Sequence, residues 1–141
     1  MRTLIIYFLC ISFVFASKIE YEKSINVVTD HTNQIIWQDD SEVIDYKENY
    51  TTSQVYCDTL ILNGYIDWRV PTIKELQKII DLKNKNYINS YFKFVNPEYY
   101  NTITGFKGDE ISHWVIDFKS GKTLTDLKKN LKYVRCVRDI R

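Results

Sequence analysis

The segment from Gly64 to Leu76, which reads GYIDWRVPTIKEL, decides the fold. Pro71 restricts the preceding residue to an extended backbone, so a helix can begin only after it. Thr72 and Glu75 have capping-box spacing, in which each side chain accepts a hydrogen bond from the other residue's backbone N–H. Apolar residues then recur at helical steps, at Ile73, Leu76, Ile79 and Ile80. The pattern predicts a helix from about Ile73 to Leu82, with a solvent face carrying Gln77, Lys78 and Lys83.

A second helix is predicted upstream, from Thr51 to Leu62. Thr51 and Gln54 again have capping-box spacing, and Gly64 stands where a left-handed helix terminator belongs. The expected apolar stripe consists of Val55, Thr59 and Leu62, flanked by Tyr56 and Leu60. This stripe places Cys57 within a turn of the buried side.

Strands are predicted at both ends of the chain. Residues 25–29 and 34–38 are β-prone and flank a turn at 30–33, which predicts a hairpin.

Residues 39–50 are polar and show no apolar period, so they predict a loop. Residues 83–110 predict a long loop whose aromatic residues cluster between 87 and 106. Three β-prone pieces end the chain, at 113–118, at 123–125 after a Ser120-Gly121 turn, and at 132–138. Two helices and several short antiparallel strands predict an α+β domain.

The first 16 residues have the pattern of a secretory signal peptide. A basic start precedes about a dozen apolar residues, too few to span a bilayer, and Val14-Phe15-Ala16 favours cleavage before Ser17. Export would leave two cysteines, Cys57 and Cys136, which in an oxidising compartment form a disulfide worth on the order of 4 kcal/mol. The alternative is a pair of free buried thiols.

Length and charge narrow the class of protein. The 141 residues allow one domain, and a formal charge of +1 argues against a strongly basic nucleic-acid binder. The charge is unevenly placed, because residues 119–141 contain eight basic side chains and only two acidic ones, Asp126 and Asp139. The basic residues are Lys119, Lys122, Lys128, Lys129, Lys132, Arg135, Arg138 and Arg141.

Catalytic and metal chemistry have little support in the sequence. His31 and His113 lack partners at zinc-ligand spacing, and no serine stands in a glycine-flanked elbow. Oxygen ligands for calcium are present at 39–42 and 109–110, but without a twelve-residue binding loop, so bound calcium is left open. We therefore predict no catalytic residue, no metal site and no cofactor.

Five blocks in order carry a family resemblance: QIIWQD at 34–39, YCDTL at 56–60, the segment 64–76, WVIDF at 114–118 and VRCVR at 134–138. Together they resemble the Lcl C-terminal domain family, a bacterial family named after a collagen-like surface adhesin. The resemblance implies a C-type-lectin-like fold over residues 27–141, preceded by a short segment at 17–26, and a Cys57–Cys136 bond. For the founding adhesin it implies binding of sulfated polysaccharides as a trimer.

The motif residues themselves are interpreted as structural. Arg69 can bind carbonyls or a carboxylate and hold the turn into the following helix, while Trp68 belongs to the core. We likewise interpret the other motif residues as structural: Trp37, Asp67, Pro71, Glu75 and Trp114.

Two non-enzymatic functions are predicted for this exported protein, whether periplasmic or at the cell surface. In the first, Lys119, Lys122, Lys128, Lys129 and Lys132 attract an anionic, sulfated glycan, and Tyr99 or Tyr100 stacks on sugar rings. In the second, the domain is a structural or assembly protein of the envelope that contacts another protein. The aromatic stretch or the acidic residues 39–48 would then form the interface.

Overall fold

Two sheets and three short helices make up the computed structural model, which describes residues 20–141. The strands are β1 (Tyr21–Ser24), β2 (Val27–Asp30), β3 (Ile35–Gln38), β4 (Lys47–Glu48), β5 (Tyr99–Gly105), β6 (Ser112–Asp117), β7 (Lys122–Leu127), β8 (Lys132–Tyr133) and β9 (Val137–Asp139). The helices are α1 (Glu42–Asp45), α2 (Tyr50–Thr59) and α3 (Ile73–Lys78). The α+β class is confirmed, with three helices where the sequence predicted two.

The C-terminal segment belongs to both sheets. One sheet has the order β1-β2-β3-β9, and the other has the order β4-β8-β5-β6-β7. Neighbouring strands are antiparallel except β5 and β8, which are parallel. The predicted strand 132–138 is therefore divided into β8 and β9, and all seven of its residues are buried. Side chains on both faces of this segment are therefore covered by protein.

The N-terminal hairpin is confirmed, with Val27 opposite Gln38 and Asp30 opposite Ile35. Asp30 shapes the turn, because its carboxylate accepts hydrogen bonds from the backbone and side-chain nitrogens of Asn33 at 2.9 and 2.7 Å. Residues 21–24, within the segment predicted to precede the domain, form β1 and pair with β2. The predicted leader, residues 1–16, lies outside the described residues.

Two apolar clusters fill the interior. The larger packs α3 against both sheets through Leu76, Ile79, Trp37, Tyr100 and Phe118. The smaller gathers Trp68, Val70 and Val134 around the Cys57–Cys136 disulfide, which closes a sequence separation of 79 residues. The predicted bond is confirmed, and the alternative of two free thiols is wrong.

The predicted capping of α3 is confirmed, whereas that of α2 is wrong. Thr72 and Glu75 form the reciprocal box before α3, which ends at Lys78 rather than Leu82. Helix α2 begins one residue early because the Asn49 side chain accepts from the backbone N–H groups of Thr51 and Thr52. It ends at Thr59, and Val55 on its predicted apolar stripe is 59% exposed. Gly64 has the expected positive φ of 78°, but within a later turn closed by Leu62 and Tyr65.

Two predicted loops contain regular structure. Residues 39–50 include α1 and β4, and the aromatic loop ends in β5 from Tyr99 to Gly105. Strand β5 was missed because Asn101, Thr102 and Thr104 interrupt its apolar residues, yet Asn101 and Thr102 are buried and hydrogen-bonded. No helix among residues 20–141 is long and apolar enough to cross a membrane.

Candidate functional site

Arg135 forms an ion pair with Asp39 in the interior. Both side chains are almost fully buried, and Arg135 Nη1 lies 3.2 Å from Asp39 Oδ1. Arg135 also donates to the carbonyl oxygens of Gln38 and Phe94. Asp39 accepts from the backbone N–H groups of Lys93 and Phe94 at 2.9 and 3.0 Å. The pair therefore ties the start of the domain to its last segment and to the aromatic loop.

The motif block 64–76 is joined to the C-terminus by two further arginines. Arg69 donates to both carboxylate oxygens of Glu75, at 2.9 and 2.8 Å, and to Asp139 at 2.8 Å. Burial opposes ionisation of Glu75, but hydrogen bonds from Arg69 and Thr72 hold its pKa below the usual value. Trp68 is buried, with its indole N–H donating to the Tyr65 carbonyl. Arg69 and Trp68 thus make their hydrogen bonds within the domain, as the structural interpretation expects.

Arg138 makes the second connection between the motif block and the C-terminus. It donates twice to Asp67, at 2.7 and 3.1 Å, and its guanidinium lies 3.7 Å from the Tyr65 ring centroid. Hydrogen bonding from Arg138 holds the pKa of Asp67 below its usual value. Arg141 reaches the same carboxylate at 3.7 Å while remaining largely exposed.

Lys132, predicted as a ligand-binding residue, is buried. Its ammonium group donates to the carbonyl oxygens of Leu127 and Asn130 at 3.0 and 2.9 Å and lies 3.2 Å from Asp126. Burial lowers the pKa of Lys132, and Asp126 opposes that shift. The lysine therefore closes the loop between β7 and β8 and is removed from the surface that a glycan could contact.

The other four predicted lysines lie along the edge of the five-stranded sheet, and we call them the lysine edge: Lys119, Lys122, Lys128 and Lys129. Lys119 and Lys122 flank the turn before β7, and Lys128 and Lys129 follow its last residue. Strand β7 is outermost in its sheet. Within residues 20–141, none of the four ammonium groups has a carboxylate within ion-pair distance.

The two candidate tyrosines have different positions. Tyr100 is buried, contacts Phe118 edge to face and accepts a hydrogen bond from the Asn96 N–H, so it is unavailable for stacking on a sugar. Tyr99 is 43% exposed. It lies opposite Asp117 in β6, which lies opposite Lys122 in β7. Because adjacent strands are about 4.8 Å apart, Tyr99 and Lys122 lie in one row about 10 Å apart.

The residues weighed as metal ligands have other partners. His113 is buried against Tyr50, and its Nε2 lies 3.0 Å from Asn101 Oδ1. Burial and the nearby charge of Lys132 lower the pKa of His113 to about 4. Asp39 is engaged by Arg135, and Asp109 accepts from the N–H groups of Ile111 and Ser112. In the described part of the chain, no three His, Cys, Asp or Glu residues gather into a metal-binding group.

Two surface depressions adjoin these elements. A groove of about 550 Å³ lies between α2 and the motif block, with Val55, Asp58, Arg69 and Ile103 among its lining residues. A smaller pocket of about 350 Å³ lies at the Lys128 end of the lysine edge and is lined by Glu110, Ile111, Leu127, Lys128 and Lys129. Ile111 belongs to no periodic pattern in the sequence, so only the structure shows that its side chain is 65% exposed.

Fold and ion-pair geometry together define a disulfide-bonded α+β domain in which the first and last segments are held by arginine–carboxylate pairs. Residues 26–138 match the Lcl C-terminal domain, and the chain belongs to that family. No curated protein matches the chain at a significant level.

Proposed function

We propose that the chain is an exported, non-enzymatic binding module that holds an extended anionic polymer, such as a sulfated glycan, along the lysine edge. One observation carries the proposal: the four lysines lie on or within three residues of the outermost strand of a sheet and have no carboxylate partners among the described residues. Ammonium groups placed this way are free to pair with sulfate or carboxylate groups of a ligand.

The spacing of the lysines favours a polymer over a small anion. Lys122 and Lys128 are six residues apart, so at about 3.3 Å per strand residue they are separated by about 20 Å. Only a ligand with repeated charges contacts both ends of such an edge at once. Tyr99 lies in the row of Lys122, where its exposed ring is available for stacking on a sugar.

Family membership and the disulfide support the remaining parts of the proposal. The Lcl family is named after an adhesin that binds sulfated polysaccharides. The resemblance of this chain to that family favours the C-type-lectin-like class for its fold. The Cys57–Cys136 bond is compatible with an oxidising, exported location. We expect the mature protein to begin at Ser17, which N-terminal sequencing of the exported product will test.

Heparin, a sulfated polysaccharide, provides the probe for the main proposal. The variant K119Q/K122Q/K128Q/K129Q is compared on heparin-agarose with the control K23Q/K74Q/K83Q/K85Q, which removes the same charge from exposed lysines elsewhere. We expect the wild type and the control to be retained and the first variant to elute at clearly lower salt. A wild-type protein that flows through at low salt, or equal losses in both variants, would contradict the proposal.

The envelope-assembly alternative has its own observation, although at a different surface from the one predicted. Asp39 is buried, as are Phe92 and Tyr100 of the aromatic stretch, whereas the groove beside α2 has Val55 exposed on its wall. Ile61 and Ile66, in the segment that links α2 to Trp68, are also exposed.

A photo-crosslinker at Val55, compared with one at Lys83, tests this envelope-assembly function. One discrete product specific to Val55 would favour it, and equal labelling at both sites would count against it.

A further inference from the structure

The pocket at one end of the lysine edge combines apolar walls with two cations. Ile111 is 65% exposed and Leu127 is half-buried, so the pocket offers apolar surface to solvent. Lys128 and Lys129 stand beside these side chains, while Glu110 also lines the pocket. At neutral pH the lining residues therefore have one net positive charge. Such a pocket suits a single anionic group joined to an apolar one.

Lys128 is held in place before any ligand arrives. Its ammonium group donates to the Glu110 carbonyl at 2.7 Å and lies 4.9 Å from the centroid of the Tyr50 ring. The buried Lys132 donates to the Leu127 carbonyl and so holds the loop that carries Lys128 and Lys129. A cation that is already ordered loses less conformational entropy when it binds an anion.

We infer that this pocket binds an anionic group with an attached apolar substituent, and that the ligand of the lysine edge is therefore an anionic glycan bearing an apolar substituent such as an acyl group. The substituent packs between Ile111 and Leu127, and the adjacent anionic group pairs with Lys128 or Lys129. The assignment to a glycan rests on the proposed function, but the pocket's preference for such a group can be measured separately.

Three small probes separate the two components of this recognition: octyl sulfate below its micelle concentration, methyl sulfate and octyl glucoside. We expect octyl sulfate to bind the wild-type protein roughly tenfold more tightly than either of the others, because only it supplies both charge and apolar surface. Amide NMR shifts should localise to residues 110–111 and 127–129. Equal affinity for octyl and methyl sulfate, or shifts centred elsewhere, would overturn the inference.

A pair of matched variants tests the apolar wall. Ile111→Ser should weaken octyl sulfate binding about fivefold and leave methyl sulfate binding unchanged. Leu124→Ser, at an exposed apolar position within β7, should leave both unchanged. If both variants bind octyl sulfate like the wild type, the pocket is not its site.

The heparin experiment distinguishes failure of this inference from failure of the proposed function. Heparin retention by the lysine edge without selective octyl sulfate binding would overturn the pocket assignment alone. Selective octyl sulfate binding without heparin retention would contradict the polymer proposal and leave a site for a small anionic amphiphile.

Discussion

The basic C-terminal stretch divides into two halves with different roles. Lys119, Lys122, Lys128 and Lys129 lie along an outer strand without carboxylate partners among the described residues. Lys132, Arg135, Arg138 and Arg141 each pair with a carboxylate, and the first three are buried. One stretch of similar residues therefore contributes cations to the surface in its first half and ion pairs to the interior in its second.

The difference follows from the cost of removing a charge from water. An unpaired buried cation costs several kcal/mol, so a buried arginine requires a carboxylate and further acceptors. Arg135 has Asp39 and two carbonyl oxygens. A cation on an outer strand stays hydrated and has no such requirement, and a ligand can then supply its partner. Position in the sheets, more than residue type, thus decides which cations are available for binding.

The largest effect is expected from Arg135→Leu. The substitution leaves the Asp39 carboxylate buried without its counter-ion, and should reduce the free energy of unfolding by about 3–5 kcal/mol. Urea denaturation measures the loss. Arg141→Leu is the control within the same half, because Arg141 is largely exposed and its pair should contribute less than about 0.5 kcal/mol. A loss below about 1 kcal/mol for Arg135→Leu would contradict the interior role.

A smaller loss is expected from Arg138→Gln. It removes two charge-assisted hydrogen bonds to Asp67, whose side chain keeps contact with solvent. The expected decrease in unfolding free energy is about 2 kcal/mol, measured by the same denaturation. The double variant with Asp67→Asn should lose little more than the single one, and fully additive losses would show that the pair does not act together.

Acid should weaken the interior through His113. Its folded pKa of about 4 lies below the unfolded value near 6.5, so the unfolded chain binds the additional proton first. Stability is therefore full well above pH 6.5 and falls as pH decreases toward 4, by about 2 kcal/mol at pH 5. The groups around the ring are Lys132, Asp126, Lys128, Tyr50 and Asn101.

The variant His113→Gln tests the source of this pH dependence. Urea midpoints between pH 7 and pH 5 should change less in the variant than in the wild type. If both proteins show the same slope, another group is responsible.

The smallest effect on stability is expected from the lysine edge. K119Q/K122Q/K128Q/K129Q should unfold within about 0.5 kcal/mol of the wild type, because three of the lysines are exposed, none has an ion-pair partner, and the half-buried Lys128 donates only to an exposed backbone carbonyl. A larger loss in thermal or urea unfolding would mean that these lysines stabilise the fold.

Local features of the fold could be predicted from the sequence. The Thr72–Glu75 capping box and the Asp30 turn depend on residues three apart in the chain, and both form as expected. The Cys57–Cys136 bond followed from a pair of cysteines. Helix α2 began at a different cap because Asn49 competes with Thr51 for the same role and accepts two backbone bonds.

Features that depend on distant partners could not be predicted. Arg135 and Lys132 had the appearance of surface cations, yet Asp39 lies 96 residues from Arg135 in sequence. Tyr100 and Tyr99 are neighbours in one strand, and only the sheet shows that one faces the core. Of the seven predicted ligand-binding residues, the lysine edge and Tyr99 lie at the surface, whereas Lys132 and Tyr100 do not.

Heparin affinity and unfolding free energy, measured on the same two variants, test the division into halves most directly. The account predicts that K119Q/K122Q/K128Q/K129Q loses at least about tenfold in heparin affinity while keeping its stability. Arg138→Gln should lose about 2 kcal/mol of stability and, while folded, keep wild-type affinity. Equal losses of affinity in both variants, or a destabilised lysine-edge variant, would contradict the account.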